Sequence, residues 1–315
     1  MKPWLLFIVF LYSAAILANP SPGEAKLNVC SSTCVTLDKP AVRVVALNWT
    51  AAEMLLSLGV TPVGVTELKG YRKWQTNHPE LPDGVVEIGR RQEPNLTEIA
   101  KLEPDLIVGY DFRHQRLIKA LSGIAPTLLY QQFPQVGQAG FSYFQQAIVV
   151  FRQLAALTGK RSKGDMLVDQ MHQTLSDLRQ RLSARGMENK SIAYGKFIGM
   201  GYGLRMFSKD SLAGSVATEL GLNYSWHSTL PGKDFVHLQL EQLPDINNTH
   251  LLLAGNQTDS ERMTSSPVWP YLPFVKQHLY SDVEPLWSFG GPVSISRMAN
   301  AFATSLFNWK ETTDG

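Results

Sequence analysis

The sequence predicts an α/β protein made of two similar lobes joined by one long helix, and three observations carry that expectation. Short apolar runs alternate with amphipathic stretches along 43–108, the rhythm of a parallel sheet covered by helices on both faces. Residues 161–185 hold Met166, Leu167, Met171, Leu175, Leu178 and Leu182 at helical spacing; over about 37 Å such a helix crosses from one lobe to another. Beyond Gly186 a similar order restarts, TAAEMLLSLGVTPVG finding a counterpart in SLAGSVATELGLNYS.

The first lobe is expected over 36–140. RVVAL at 43–47 is a buried strand. Thr50 and Glu53 form a capping-box pattern that opens a helix over 51–58, ended by Gly59, and 63–65 returns as a strand. Trp49 sits at a strand's carboxyl end, where ligands of open α/β sheets bind. Segment 70–83 is expected to be irregular, with Tyr71, Arg72 and Trp74 in polar company. Next come a strand over 85–88, a turn at Gly89, the basic pair Arg90 and Arg91, a helix with Leu96, Ile99, Ala100 and Leu102 at helical spacing, and a strand over 106–108. Two arginines thus fall on a loop held by a strand and a helix, a usual place for binding residues. After amphipathic helices over 141–157 and 161–185, the second lobe is expected over 190–312. It has strands at 192–198 and 251–253, a helix at 211–220 and a helical turn at 240–243.

At the start, Lys2 precedes an apolar stretch over 4–12 and small residues at Ser13, Ala14, Ala15 and Ala18, the pattern of a secretory signal peptide over 1–18. Cleavage fits after Ala18 or Ala15. The only two cysteines are Cys30 and Cys34, and export favours a small disulfide between them over free thiols. Val29 stands where a lipidated Cys30 would need a small residue, so no lipid anchor is expected. On a bacterial reading, a binding protein without one is kept by an outer membrane, which gives a periplasmic location. A net charge of +2 over 315 residues shows no basic stripe, so nucleic acid is not an expected partner.

Histidines at 78, 114, 172, 227, 237, 250 and 278 show no metal-ligand spacing. His227 and His237 fall nearest the expected cleft of the second lobe. The run GMGYG at 199–203 follows a strand but lacks the helix and distal acid of a dinucleotide site, and is expected as a cleft-edge loop. No nucleophile elbow or phosphate loop occurs, so no catalytic residue, metal site or cofactor is expected.

The run GRRQEPNL at 89–96 followed by LEPDLI at 102–107 resembles bacterial periplasmic binding proteins that deliver ferric siderophores and vitamin B12 to ABC importers, and the likeness, greatest to the ferric hydroxamate binders, covers nearly the whole mature chain. It implies a monomer with a single long helix between the lobes, modest closure, a ferric siderophore ligand and an inner-membrane permease as partner. Arg91 matches the arginine that contacts hydroxamate oxygens. Trp49, Trp74, Trp287 and Phe289 match aromatics in or near the cleft; Trp269 matches too, but PVWPYLPFV reads as a packing segment. Tyr110 and Arg113 stand in for aromatics expected after the strand at 106–108. Trp226 is retained, whereas Lys233 replaces a cleft tryptophan; with Arg113 it favours a more anionic chelate, such as a citrate-containing hydroxamate. Glu241 matches one of the two permease-docking acids; at the other position the chain departs, with Thr97 where the acid is expected and Glu98 beside it as the candidate. Haem or a corrinoid as ligand is the alternative within binding proteins, and a secreted α/β hydrolase or a direct metal binder the alternative outside them.

Overall fold

The computed structural model describes residues 26–198, 203–243, 248–255 and 257–309; the signal peptide and residues 199–202 of the glycine-rich run lie outside them. In chain order the strands are β1 Leu27–Cys30, β2 Cys34–Leu37, β3 Val44–Ala46, β4 Gly64–Val65, β5 Val86–Glu87, β6 Leu106–Tyr110, β7 Thr127–Tyr130, β8 Ser191–Phe197, β9 Gly203–Phe207, β10 Asn223–Tyr224, β11 Phe235–Gln239, β12 His250–Ala254 and β13 Tyr280–Val283. The helices are α1 Trp49–Ser57, α2 Leu68–Trp74, α3 Leu96–Lys101, α4 Asp111–His114, α5 Ile118–Ser122, α6 Tyr143–Leu157, α7 Arg161–Ser183, α8 Leu212–Glu219, α9 Gln257–Thr264, α10 Pro273–Lys276 and α11 Pro292–Asn308.

β1 and β2 form an antiparallel hairpin with Cys30 opposite Cys34, joined by a disulfide. The first sheet, ordered β5-β4-β3-β6-β7, is parallel throughout. β3, β6 and β7 are buried along their whole length, as strands covered on both faces must be, and for that reason they read as unbroken apolar runs rather than alternating ones.

The second sheet departs from the expected parallel pattern. Its order is β11-β9-β8-β12-β13, with β10 beside β8. β12 runs parallel to β8 and β13, but β9 is antiparallel to both β8 and β11. Only residues 198–202 separate β8 from β9, too few for the crossover that a parallel neighbour needs, so the chain turns back as a hairpin.

Two further expectations are corrected. Segment 70–83 is not irregular throughout: α2 occupies its start, Tyr71 is fully buried, and a Cβ at Gly70 would collide with the Trp49 indole. Glycine there lets α2 lie directly on that ring. The capping box at Thr50 and Glu53 does not form either. Asn48 caps α1, its Oδ1 accepting from Ala51 N at 2.8 Å, and the helix starts two residues earlier than expected. Thr50 and Glu53 thereby become available for contacts with the other lobe.

α6 and α7 form a helical pair behind the two sheets. α6 packs on α1, β1, α8 and α11; α7 begins beside Leu58, which caps α1, and near its end Arg181, with Arg185 just beyond it, lies over Phe307 of α11. A second bridge is polar. Glu53, fully buried on α1, accepts from Gly291 N at 2.7 Å and from Ser294 N and Oγ, both at 3.2 Å, at the start of α11. A carboxylate at a helix N-terminus meets unpaired N–H groups and the positive end of the helix dipole. Arg297 on the same helix donates to Gln75 O and Thr76 Oγ1 of the first lobe.

Candidate functional site

The site is built on the carboxyl ends of the first sheet. Trp49 follows β3, its indole N–H donating to Thr66 O at 3.1 Å, and the Arg91 guanidinium lies 3.7 Å above the ring. Arg91 is held by its loop. Gly89 adopts a φ of +87°, a conformation natural to glycine, and turns the chain so that Arg90 and Glu93 exchange backbone hydrogen bonds. Glu67 accepts from the Arg91 backbone N–H at 3.2 Å and from Nε at 2.7 Å. His114 steadies the loop from behind. Its Nδ1 accepts from Tyr110 N at 3.0 Å, so Nε2 carries the proton and donates to Arg91 O at 2.9 Å; burial keeps this imidazole below its usual range.

Tyr110 ends β6. Thr50 has one hydroxyl proton, given to Phe289 O at 3.0 Å, so the 2.6 Å contact with Tyr110 is a donation from the phenol. Burial raises that phenol to about 12. Trp287 Nε1 donates to the same Thr50 oxygen at 3.0 Å, and its ring meets Trp49 edge-on at 5.2 Å. One threonine thus ties an aromatic from each lobe.

Between the lobes these residues enclose a cavity of about 450 Å³. Trp49, Trp74, Arg91, Tyr110, Arg113, Lys233, Trp287 and Phe289, all singled out in the sequence, line it. Trp226 does not. Its indole is buried in the second lobe and donates to Ser228 O at 2.9 Å; an aromatic near a cleft in sequence can face either way, and this one faces inward. His227 is exposed, and His237 stacks on Phe235 and accepts from Arg205 Nε at 2.9 Å without lining the cavity. Trp269 packs against Phe274 and Tyr280 in the core. Glu98 pairs with Lys101 at 2.8 Å on α3, away from the cavity, while the side chain of Glu241 lies outside the described residues.

Sequence reasoning missed the rest of the wall. Phe112 and Phe133 come from the first lobe, and Lys196, Arg205, Phe207 and Phe235 from strands β8, β9 and β11 of the second. The signal lay in SIAYGKF and GLRMF, each an apolar strand interrupted by one basic residue. Lys196 is buried, its ammonium donating to Leu286 O at 3.0 Å and lying 4.7 Å from the Trp74 ring and 6.0 Å from that of Trp287. Burial, and then Arg205 beside it, bring its pKa down to about 7. Lys233 reaches over Phe133 at 4.3 Å. Among the described residues no three His, Cys, Asp or Glu side chains converge as a metal site.

A cavity between two α/β lobes, walled by rings and cations, defines a two-lobed ligand-binding protein. The family model described as periplasmic binding protein matches residues 44–280, and the chain belongs to that family, whose members are binding proteins. It is 26% identical over 261 residues to the iron(3+)-hydroxamate-binding protein FhuD of Escherichia coli K12, covering 80% of this chain and 82% of that one. It is 25% identical over 293 residues to the Fe(3+) dicitrate-binding periplasmic protein FecB of the same organism, covering 89% of each. Among solved structures, the siderophore-binding protein FhuD of Vibrio cholerae with bound Fe3+-Desferal superposes with a TM-score of 0.76 at 31% identity, over 85% of this chain and 98% of that one. The expected family and bilobal α/β fold are therefore borne out.

Proposed function

We propose that this protein captures a ferric siderophore of the hydroxamate type in the interlobe cavity and delivers it to an inner-membrane ABC permease. The observation that carries the reading is the cavity itself: about 450 Å³, walled by aromatic rings with Arg91 held on the Trp49 face. A siderophore brings iron with its coordination sphere filled, so the protein supplies no metal ligand. Its tasks are apolar contact and hydrogen bonds to oxygens that carry partial negative charge, for which arginine is suited. Fixed aromatic walls give contact area with few rotors to order. The names of the similar proteins, which bind iron(3+)-hydroxamate, Fe(3+) dicitrate and Fe3+-Desferal, support this class.

In this reading Arg91 meets the chelate oxygens, and Trp49, Trp74, Tyr110, Trp287 and Phe289 form the wall. Glu98 and Glu241 dock the permease, one on each lobe. Residues 1–18 direct export and are removed; 36–140 and 190–312 act as lobes joined through 161–185, and the protein works as a periplasmic monomer. Tryptophan fluorescence tests the reading directly, since Trp49, Trp74 and Trp287 all line the cavity. Ferric hydroxamates should quench it saturably. Saturation only by a ferric catecholate, haem or cobalamin would overturn the hydroxamate assignment.

A further inference from the structure

Among the described residues the cavity wall carries five cationic side chains, Arg91, Arg113, Lys196, Arg205 and Lys233, and no acidic one. Two acids stand behind it. Glu67 is engaged by Arg91. Asp234 is buried next to Lys233 in sequence, its carboxyl raised by burial to about 7 and drawn back only in part by Arg205 and Lys233. The cations also act on one another. Burial lowers the pKa of Arg113 and, next, Arg91 does, with Tyr110 and Glu67 offsetting in part. Burial lowers that of Arg205, Asp234 offsets it in part and Arg91 lowers it again, and Arg205 adds to the burial that lowers Lys196. Nε and Nη1 of Arg113 are buried and meet no hydrogen-bond partner among the described residues. Lys196 has one carbonyl and two indole faces as its surroundings.

From this arrangement we infer that the ligand is an anionic ferric chelate with free carboxylates, selected by Lys196 and Arg205 of the second lobe together with Arg113 of the first. The inference rests on the siderophore reading and narrows it. Buried charges need a partner, and an unpaired one is costly. A neutral chelate seated here would take these cations further from water without supplying a counter-charge, and a cationic one would add to the repulsion. A carboxylate supplies charge-assisted hydrogen bonds to the unpartnered Arg113 nitrogens, and to Lys196 and Arg205 a counter-charge that the Leu286 carbonyl and the His237 imidazole do not. Each such contact changes affinity by roughly ten- to hundredfold.

Three chelates sharing hydroxamate donors separate charge from iron chemistry: an anionic ferric citrate-dihydroxamate, a neutral cyclic ferric trihydroxamate, and ferric Desferal, which carries a pendant ammonium. Titrated by tryptophan fluorescence, the anionic chelate should bind at least about tenfold more tightly than the other two. Lys196→Met and Arg205→Gln should each remove most of that preference, and added NaCl should weaken the anionic chelate more steeply than the neutral one. Thermal melting checks that the variants fold; if Lys196→Met does not, Arg205→Gln and the salt series on the unaltered protein decide the matter. Equal or tighter binding of the neutral or cationic chelate overturns the charge inference and leaves the siderophore reading standing. Saturation by none of the three overturns both.

Discussion

Two regions lie between the same two lobes and treat their polar groups in opposite ways. At the rear, the Glu53 carboxylate takes three donors from the start of α11, and Thr50 satisfies Tyr110, Trp287 and the Phe289 carbonyl at once. At the front, next to Thr50 on the same helix, Trp49 opens a wall whose cations outnumber their acceptors. Buried polar groups that are fully paired hold a surface together, whereas those left short of partners point to something that is yet to arrive. The rear therefore ties the two lobes together like a clasp, and in the proposed function the front is the receiving surface.

The sharpest way to break the rear is Glu53→Ala, which leaves the Gly291 and Ser294 donors buried without an acceptor. Urea unfolding should show a loss of about 3 kcal/mol, and an unchanged midpoint would remove the clasp from the account. Glu53→Gln keeps the volume and should cost less. It also tests the pH dependence. Burial raises the Glu53 carboxyl from 4.5 to about 7. A group raised in the folded state contributes stability that is fully present below its unfolded value and lost as pH rises through its folded one. Stability should thus fall between pH 4.5 and 7, with a shallower slope in Glu53→Gln. Asp234, raised by burial to about 7, adds a slope of the same sign, so the readout is the difference between the two proteins.

At the front, Arg91→Ala should weaken ferric hydroxamate binding by about thirtyfold and leave the rear clasp intact; an unchanged quenching curve would remove Arg91 from the receiving surface. A smaller effect concerns protons. Lys196 faces the Trp74 and Trp287 rings, the Leu286 carbonyl and the Arg205 cation. With its pKa near 7, an arriving carboxylate should draw a proton onto it. Affinity for an anionic chelate should then decline as pH rises from 7 to 8.5, and calorimetry in two buffers of different ionisation heat should register the uptake; Lys196→Met should lose both. The smallest effect is expected outside both regions. Glu98→Lys should change stability by less than about 0.5 kcal/mol and leave ligand affinity unchanged, while slowing uptake through the permease in cells; Glu241→Lys should act likewise.

How much was legible depended on how local the cause was. β3 and β6 stood out because strands buried on both faces are continuous apolar runs. β9 and β11 were missed because Arg205 and His237 break that signal, and a charge in a strand reads as surface until a neighbouring lobe turns that surface into a cavity. α2 was missed because YRKW looks like a polar loop; its helix is supported by Tyr71 in the core and by Gly70 against the Trp49 ring. Thr50 and Glu53 have capping-box spacing, yet Asn48 supplies the cap. Spacing alone does not distinguish a cap from a pair of residues reaching outward.

The sequence by itself determined the alternation of elements and the two-lobed plan, because periodicity and turn chemistry are set by residues a few positions apart, and its family resemblance singled out Trp49, Trp74, Arg91, Tyr110 and Arg113 of the first-lobe wall but not Phe112 or Phe133. Only the tertiary structure decided that Glu53 clasps Gly291, that Thr50 joins Trp287 to Tyr110, that Trp226 faces the core, and that Lys196 and Arg205 complete the cavity. Those pairings bring together residues from distant parts of the chain. They are fixed by how two separate sheets pack through α6, α7 and α11, and no local pattern records that packing.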